Sequence, residues 1–466
     1  MFKDKLKSFI HSIKEVLVGN EQDFSTGNLR KAIIMLSIPM VLEMFMESVF
    51  AIVDILYVAH LGTDAVAAVG ITESLMTIVY AISIGICIGA NAIISRRIGE
   101  KENRLAAISA FQAILVTFFL SMVFAIPAIF FASDILSLMG ASSSVIAIGK
   151  DYAALVLGSN AIVMLLYVNN TIFRSAGDAA LALRVLFFAN IFNIILAPFL
   201  IFGWGPFPKM GVTGAAVATT FCRSLGVVYQ FYMLFNGRHR IKITRKEILF
   251  IPSIMYKIVK LSMGGIFQNI IATSSWIFLM RVMADFGSSV IAGYTIAIRI
   301  LIFVLLPSWG LGNAASTLVG QSLGAGNPKR AQKAAWNIGI INSALLGSIG
   351  LIFILWPEFF LSIFIKDQAV IMHGSNALKI ISYGFASYAL SMVMVQALNG
   401  AGDTYTPMYI NIFCFWLLEI PLAILLAYKY EMKEFGVYWS IFIAETLIAI
   451  LATLIFLRGK WKVKNV

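Results

Sequence analysis

Long apolar runs separated by short polar stretches cover nearly the whole chain. Twelve of these runs reach the roughly 20 mostly apolar residues that a helix needs to cross a bilayer. Six precede a basic stretch at 237–247, and six follow it. The pattern predicts an all-α polytopic membrane protein with twelve transmembrane helices. The runs lie near 32–57, 65–95, 106–133, 147–170, 180–203, 211–236, 256–284, 288–320, 332–357, 369–399, 405–428 and 435–457.

The second six runs repeat the first six. A shift of 225 residues aligns 61–107 with 286–332 without a gap, and nine of those 47 pairs are identical. Two copies in the same orientation predict two pseudo-symmetric six-helix lobes, related by an axis along the membrane normal and separated by a cleft that opens by rocking. The predicted segments are a cytoplasmic amphipathic N-terminal segment at 1–27, the N-lobe at 28–236, a basic linker at 237–255, the C-lobe at 256–457 and a basic tail at 458–466.

Three carboxylates, Glu43, Glu47 and Asp54, interrupt the first apolar run. At about 100° per residue they lie within about 40° of one another, so they share one helical face. A charge at the membrane centre costs about 2.5–3.5 kcal/mol on insertion scales, and such residues usually face a protein interior or a watery cavity. The face therefore predicts a cation-coupling site. The alternative is that either glutamate lies near an interface and only snorkels.

Polar residues in later runs of the N-lobe fit the same site. Tyr152 and Asn170 are 18 residues, or five helical turns, apart, and Asn190 and Asn193 share a face of the fifth run. Their oxygen atoms suit Na⁺, or can relay hydrogen bonds to a protonating carboxylate. The alternative is that they only join one helix to another.

The acids are predicted to belong to the N-lobe alone. The positions that the shift of 225 aligns with them are Gln268, Ala272 and Leu279. The cleft would then serve a larger ligand. We assign to it polar, aromatic and charged residues of both lobes: Tyr57, Glu73, Gln268, Trp276 and Arg281.

Composition supports a membrane protein, and charge indicates its orientation. Of the 466 residues, 60% are hydrophobic and 12% charged, against about 45–50% and about 25% in soluble domains. The formal net charge of +12 collects in alternate loops, which favours cytoplasmic loops over nucleic-acid binding. We expect a multi-pass protein of the cell (inner) membrane, with both termini and the 237–247 loop cytoplasmic and an N-terminal helix lying on the bilayer. The Cys and His residues show no metal-ligand spacing.

Several short motifs stand at fixed places relative to the apolar runs. They are LSIP at 36–39, VD at 53–54, LGTDAVAA at 61–68, GICIGA at 85–90, RSAGD at 174–178, GQSLGAGN at 320–327 and AGD at 401–403.

In these motifs and in the order of its runs, the chain resembles the MATE family, the multidrug and toxic compound extrusion transporters, from about 28 to 457. The resemblance implies a cation-coupled antiporter that exports organic-cation or amphiphilic drugs by alternating access, without a cofactor. It implies that Asp54 is the principal coupling carboxylate with Asn193 beside it, and that Tyr152 and Asn170 belong to the polar network of the N-lobe. Pro39 matches the family's first-helix proline, a plausible hinge because proline removes a helix hydrogen bond.

Two departures from the family pattern bear on the ion. Ala197 replaces a second N-lobe aspartate, and Ala272 and Tyr388 stand where the NorM-type branch carries acids in helices seven and ten. The chain is therefore more similar to the DinF-type branch. A proton needs only one carboxylate with a raised pKa, which favours H⁺ over Na⁺.

If Na⁺ binds at Asp54 and Asn193, another acid must replace the negative charge that is missing at Ala197. The candidates are Glu43, Glu47 and Glu73.

Three other functions are weighed against the antiporter. A lipid-linked oligosaccharide flippase would need cavity cations for pyrophosphate, and Arg281 is the main mid-span base. An intramembrane enzyme would need a set such as HExxH or GxSxG, which the sequence does not contain. A passive channel fits poorly with two long pseudo-symmetric lobes. We expect a monomer in the lipid bilayer that binds small amphiphilic or cationic substrates and no nucleic acid.

Overall fold

The chain folds into a bundle of membrane-length helices. The computed structural model describes residues 24–236 and 239–464, and every regular element in these ranges is helical. Within these ranges eleven helices are long and apolar enough to cross a membrane, and two shorter helices bent by 55° pass the same test together, which gives twelve if the pair is one span. The predicted all-α architecture is confirmed. The predicted surface helix before residue 24 lies outside the described residues.

The first six spans form the N-lobe. Span 4 is interrupted at Ser159, between the helices Ser143–Gly158 and Asn160–Ala176. The spans are span 1, Leu29–Ala59; span 2, Thr63–Gly99; span 3, Asn103–Leu138; span 4, Ser143–Ala176; span 5, Ala179–Phe202; and span 6, Val212–Asn236.

The second six spans form the C-lobe. Span 11 contains two wide-turned π-helical stretches, Ile412–Glu419 and Leu425–Lys429. The spans are span 7, Pro252–Ala284; span 8, Ser288–Gly324; span 9, Pro328–Leu355; span 10, Gln368–Ser382 followed by Phe385–Gly400; span 11, Tyr405–Lys429; and span 12, Glu434–Arg458.

The repeated AGD motif ends one span and starts the next in each lobe. Gly177 ends span 4 with φ +97°, a left-handed conformation that favours glycine. The Asp178 carboxylate then caps span 5 by accepting from the backbone N–H of Leu181 at 3.0 Å. Gly402 has the same left-handed sign, with φ +85°. The motif therefore sets equivalent corners in the two lobes.

Contacts between the lobes obey the pseudo-two-fold axis that the repeat predicts. Gly99 packs against the backbone of Gln321, and Gly324 packs against the backbone of Arg96. The shift of 225 converts the first contact into the second, because 99 becomes 324 and 96 becomes 321. A second pair of contacts is related in the same way: Gly85 on Ile266 and Gly310 on Val41.

Two contacts lie on the axis itself. The amide of Asn91 donates to the hydroxyl of Ser316 at 2.8 Å, and these residues are separated by 225 positions. Ser95 lies against Gly320, which is also 225 positions away. A residue that touches its own repeat counterpart must lie beside the symmetry axis.

The lobes are held together toward the ends of spans 2 and 8 that carry the basic loops. The interlobe glycine contacts fall in the second halves of these spans. The first halves instead make close contacts within their own lobes, where Gly149 packs on Ala68 and Gly293 packs on Gly374. The described state is therefore closed at its basic end.

Candidate functional site

A cavity of about 250 Å³ lies between the lobes and is lined by both. It is slightly smaller than the about 300–1,000 Å³ of typical ligand sites, so it suits a small ligand. Apolar and polar residues both line it. The polar and charged members used below are Glu47, Asn91, Arg174, Gln268, Tyr388, Asn399 and Glu445.

Glu43, on span 1, is part of a buried ion pair. The Arg174 guanidinium donates to its Oε1 at 3.0 Å, and the Asn170 amide donates to the same oxygen at 3.1 Å. Asn170 in turn accepts from Gln230 at 2.6 Å. The ion pair links span 1 to span 4, and the amide chain extends the link to span 6.

Glu47, one turn further along span 1, also has an arginine partner. The Arg223 guanidinium donates to its Oε1 at 2.8 Å and lies 5.2 Å above the centre of the Phe50 ring. The side chain of Arg223 is only 6% exposed. The sequence did not indicate either arginine partner, and the coupling role of Glu43 and Glu47 stays a prediction.

Asp54 differs from the two glutamates. Its Oδ1 is buried and has no hydrogen-bond partner among the described residues. The charged groups that act on it most strongly are Glu73 and Arg223, and Tyr152 also lies within its electrostatic range. Glu73 is therefore an acidic neighbour of Asp54 that also lies in the electrostatic range of Arg299, whereas the guanidinium of Arg223 is hydrogen-bonded to Glu47.

The predicted asparagines join helices around span 1. Asn193 donates to the hydroxyl of Thr219 on span 6 at 2.9 Å, and Asn190 donates to the carbonyl of Met46 at 3.4 Å. Tyr57 donates to the carbonyl of Ile194 at 3.2 Å. These bonds hold spans 1, 5 and 6 together where the acids lie.

Tyr152 and Asn170 do not lie on one uninterrupted helix as the sequence predicts, because span 4 breaks at Ser159. They also serve different acids. Asn170 is hydrogen-bonded to Glu43, and Tyr152 lies in the electrostatic range of Asp54.

Of the predicted cleft residues, only Gln268 lines the interlobe cavity. Its amide donates to Asn399 at 3.1 Å and to the Thr404 carbonyl at 2.7 Å. Trp276 lines a smaller pocket inside the C-lobe. Tyr57 and Glu73 belong to the N-lobe and are not among the residues that line the cavity.

Arg281 is not a mid-span base, and the sequence prediction is wrong on this point. It lies in the last turn of span 7 with its side chain 73% exposed, and it pairs with Asp285 at 2.7 Å. The Tyr428 hydroxyl and Arg281 both donate to Asp285 and hold the pKa of that carboxyl below its usual range. The buried bases of the described spans near span 1 are instead Arg174 and Arg223.

Pro39 lies inside span 1, which remains helical through it. Its neighbour Met40 presents its carbonyl to Gly310 of the C-lobe. The proposed hinge therefore stands next to an interlobe contact. Its role in movement stays a prediction.

The C-lobe contains two buried acids, so the prediction that acids belong to the N-lobe alone is wrong. Glu419 on span 11 is 1% exposed, and Glu445 on span 12 is 9% exposed. Glu445 lines both the interlobe cavity and the smaller pocket. Both acids are visible in the sequence, in the apolar runs FWLLEIPLA and FIAETLIA. They were missed because neither aligns with an acid of the first span under the shift of 225.

The described residues contain no group of three or more His, Cys, Asp and Glu side chains that could hold a metal ion. The candidate site is therefore a set of paired and unpaired carboxylates around an interlobe cavity. A family model described as MatE matches the chain twice, over residues 39–199 and 265–425. The chain belongs to the MatE family.

Relatives of this MatE chain match it over nearly its whole length. The probable multidrug resistance protein YoeA of Bacillus subtilis (strain 168) is 26% identical, with 92% of this chain and 93% of YoeA covered. The FAD transporter of Shewanella oneidensis is also 26% identical, with 85% and 88% covered. A solved structure described as an outward-facing multidrug resistance MATE family transporter has a TM-score of 0.89 at 23% identity, with 95% of this chain and 98% of that chain covered.

Membership of the MatE family makes this chain a multi-pass transporter of small molecules in the cell membrane, and not an enzyme. The family needs no cofactor. The relatives include proteins named NorM as well as others, so the DinF-type branch stays a prediction.

Proposed function

We propose that this MatE transporter is a cation-coupled antiporter, driven by H⁺ rather than Na⁺, that exports organic-cation or amphiphilic molecules by alternating access. The observation that carries the proposal is the single unpaired acid of span 1. Glu43 and Glu47 each form an ion pair with a buried arginine, Arg174 and Arg223, whereas Asp54 forms no ion pair within the described part of the chain and its Oδ1 is buried.

This difference separates two roles among the three acids. Protonation of a carboxylate that pairs with a buried arginine would leave the guanidinium without a counter-charge, which is costly. Asp54 has a second acid, Glu73, among its neighbours and no hydrogen bond to its buried oxygen. We therefore assign coupling to Asp54, and to Glu43 and Glu47 the charge balance of the arginines.

The residues around Asp54 support proton exchange more than a Na⁺ site. Na⁺ requires several oxygen ligands, and Ala197 stands where the family's N-lobe site has a second aspartate. A proton needs only the carboxylate itself. Exchange would couple to movement because an opening cavity hydrates the site and changes the cost of the charged form.

The residues that line the cavity favour a small amphiphilic substrate over one that carries a pyrophosphate group. Its described lining contains one base, Arg174, and Glu43 neutralises it. The name of the Shewanella relative makes flavin nucleotides a substrate class to include in the tests. A lipid-linked oligosaccharide flippase would need free cations in this cavity.

The closed basic end supports an orientation for the described state. If the basic loops are cytoplasmic, as the positive-inside rule predicts, the interlobe contacts of Gly99 and Gly324 close the cytoplasmic side. Rocking of the lobes would separate these contacts to receive substrate from inside.

Gradient-driven efflux in proteoliposomes tests the proposal. We expect Asp54→Asn, which is nearly isosteric, to insert normally and to lose efflux driven by a pH gradient. Asp134→Asn is the control, because Asp134 is exposed on span 3, and it should match the parent. A Na⁺ gradient without a pH gradient distinguishes the two ions. Parental efflux with the parental pH dependence in Asp54→Asn would remove Asp54 from the coupling mechanism.

A further inference from the structure

We propose that Glu419 and Glu445 form a second monovalent-cation site, located in the C-lobe and open to the interlobe cavity through Glu445. The two acids come from spans 11 and 12. Neither has a counterpart among the acids around Asp54, so the site is separate from the one proposed for coupling.

The contacts of the two carboxylates leave room for a ligand. Ser275 on span 7 donates to Glu419 Oε2 at 2.6 Å. Glu419 Oε1 and Glu445 Oε2 are buried and have no hydrogen-bond partner among the described residues. The two side chains are close enough for each other's charge to be felt. The stretch Ile412–Glu419 of span 11 packs against span 12, so the two unpartnered oxygens belong to acids on helices in contact.

The charges around the pair are not compensated. No Lys, Arg or His in the described ranges forms an ion pair with either acid. The other titratable side chains that feel the pair are neutral groups on spans 8, 10 and 11, namely Tyr294, Tyr388 and Cys414. Two buried carboxylates within range of each other's charge are strongly disfavoured in their doubly charged form unless a cation is bound. A shared proton or a bound Na⁺ would supply this positive charge.

The backbone of span 11 is distorted at this site. The π-helical stretch Ile412–Glu419 ends at Glu419, and Pro421 follows two residues later. π-Helical turns in membrane-length helices are frequent at functional sites, and proline cannot donate to the carbonyl one turn earlier. The distortion sets where Glu419 points relative to spans 7 and 12.

Glu445 gives the pair a route to the interlobe cavity. Together with Tyr388 it lines that cavity and also the smaller pocket that Trp276 lines inside the C-lobe. Glu419 is deeper, at 1% exposure. A cation arriving from the cavity would therefore meet Glu445 first and Glu419 second.

The repeat places this pair where the N-lobe has a polar cluster. The shift of 225 converts Glu419 into Ile194 and Glu445 into Thr220. Ile194 accepts the hydrogen bond from Tyr57, and both positions directly follow the hydrogen-bonded pair Asn193 and Thr219. The two lobes thus hold polar groups at equivalent places, but the C-lobe acids come from different helices than Asp54 and Glu73.

Infrared spectroscopy of the purified full chain tests this site without requiring transport. We expect the parent to show a component of the protonated-carboxyl band that shifts or changes in intensity in each of Glu419→Gln and Glu445→Gln, because one buried acid remains in either variant, and that is lost when both acids are replaced by Gln. Glu434→Gln is the matched control, because Glu434 is a buried acid of the same span 12 but is hydrogen-bonded to His373 at 3.0 Å. It should leave the band unchanged.

A Na⁺ titration at fixed pH separates the two occupants. Loss of the band with added Na⁺ would identify Na⁺ as a competing ligand, and a constant band would identify the proton alone. Ser275→Ala keeps both acids and should shift the band by removing the hydrogen bond to Glu419, which covers the case in which a Gln variant fails to fold.

The proposal is overturned if the band and the Na⁺ response of both Gln variants equal those of the parent, or if Ser275→Ala leaves the band in place without a shift. The signal should persist in Asp54→Asn. Failure of the efflux proposal and failure of this one are therefore distinguishable.

Discussion

Breaking the buried pair between Glu43 and Arg174 should destabilise the N-lobe strongly. The two side chains are 2% and 9% exposed, and their N–O distance is 3.0 Å. Glu43→Gln leaves the guanidinium without a counter-charge, and Arg174→Met leaves the carboxylate without one. Removing one partner of a buried pair costs about 3–5 kcal/mol. At about 2–4 °C per kcal/mol for a unit of about 150–250 residues, the melting temperature should fall by roughly 6–20 °C if the lobe unfolds as one unit.

The double variant tests whether the cost of each single change comes from the unpaired buried charge that it leaves. Replacing both members by neutral side chains of similar size is often neutral or stabilising. Glu43→Gln with Arg174→Met should therefore recover most of the stability that either single change removes. Thermal unfolding in detergent, followed by the fluorescence of a thiol-independent dye, measures all four proteins of this double-mutant cycle.

An exposed pair provides the control. Arg281 and Asp285 are 73% and 45% exposed, so solvent screens their attraction and Arg281→Met should lower the melting temperature far less than either change to the buried pair. Simple addition of the effects of Glu43→Gln and Arg174→Met in the double variant would show that the two side chains do not stabilise each other. The reasoning is also refuted if each single change costs no more than Arg281→Met.

Two further predictions concern orientation and movement. A cysteine introduced at the exposed residue Lys246 should react with a membrane-impermeant thiol reagent only after cells are opened, because the basic 237–247 loop is expected to be cytoplasmic; labelling of intact cells would contradict this orientation. Gly324→Leu places a side chain against the backbone of Arg96, so it should force the basic ends apart and increase the accessibility of a cysteine at Ser316. The control Gly70→Leu should not, because Gly70 is an exposed helical glycine with open space around it. Equal labelling in the two variants would show that the Gly324 contact does not hold the lobes together.

The sequence predicted the number of spans and the axis because both follow from strong constraints. A bilayer requires about 20 apolar residues for each crossing and satisfied backbone hydrogen bonds within each helix. A constant shift of 225 then had to place equivalent residues on equivalent helices. The contact between Asn91 and Ser316 is a direct result of that register.

The partners of the buried acids could not be predicted in the same way. Helical periodicity indicates which face an acid occupies, but not which side chain of another helix reaches it. Glu43 and Arg174 are 131 positions apart, and Glu47 and Arg223 are 176 apart. The interruption at Ser159 and the π-helical stretch at Ile412–Glu419 also change the angle per residue, so an ideal-helix projection fails beyond them.

The contacts on the pseudo-two-fold axis could not be made by two identical halves. In a dimer of two identical six-helix units, each on-axis residue would face its own copy. Ser95 lies so close to Gly320 that a Cβ atom on the glycine would collide with the serine hydroxyl, so two serines could not occupy these positions together. Asn91 donates to Ser316, a bond between unlike partners. Such an interface requires two halves that carry different residues, so this chain cannot be reduced to a homodimer of either lobe without repacking its centre.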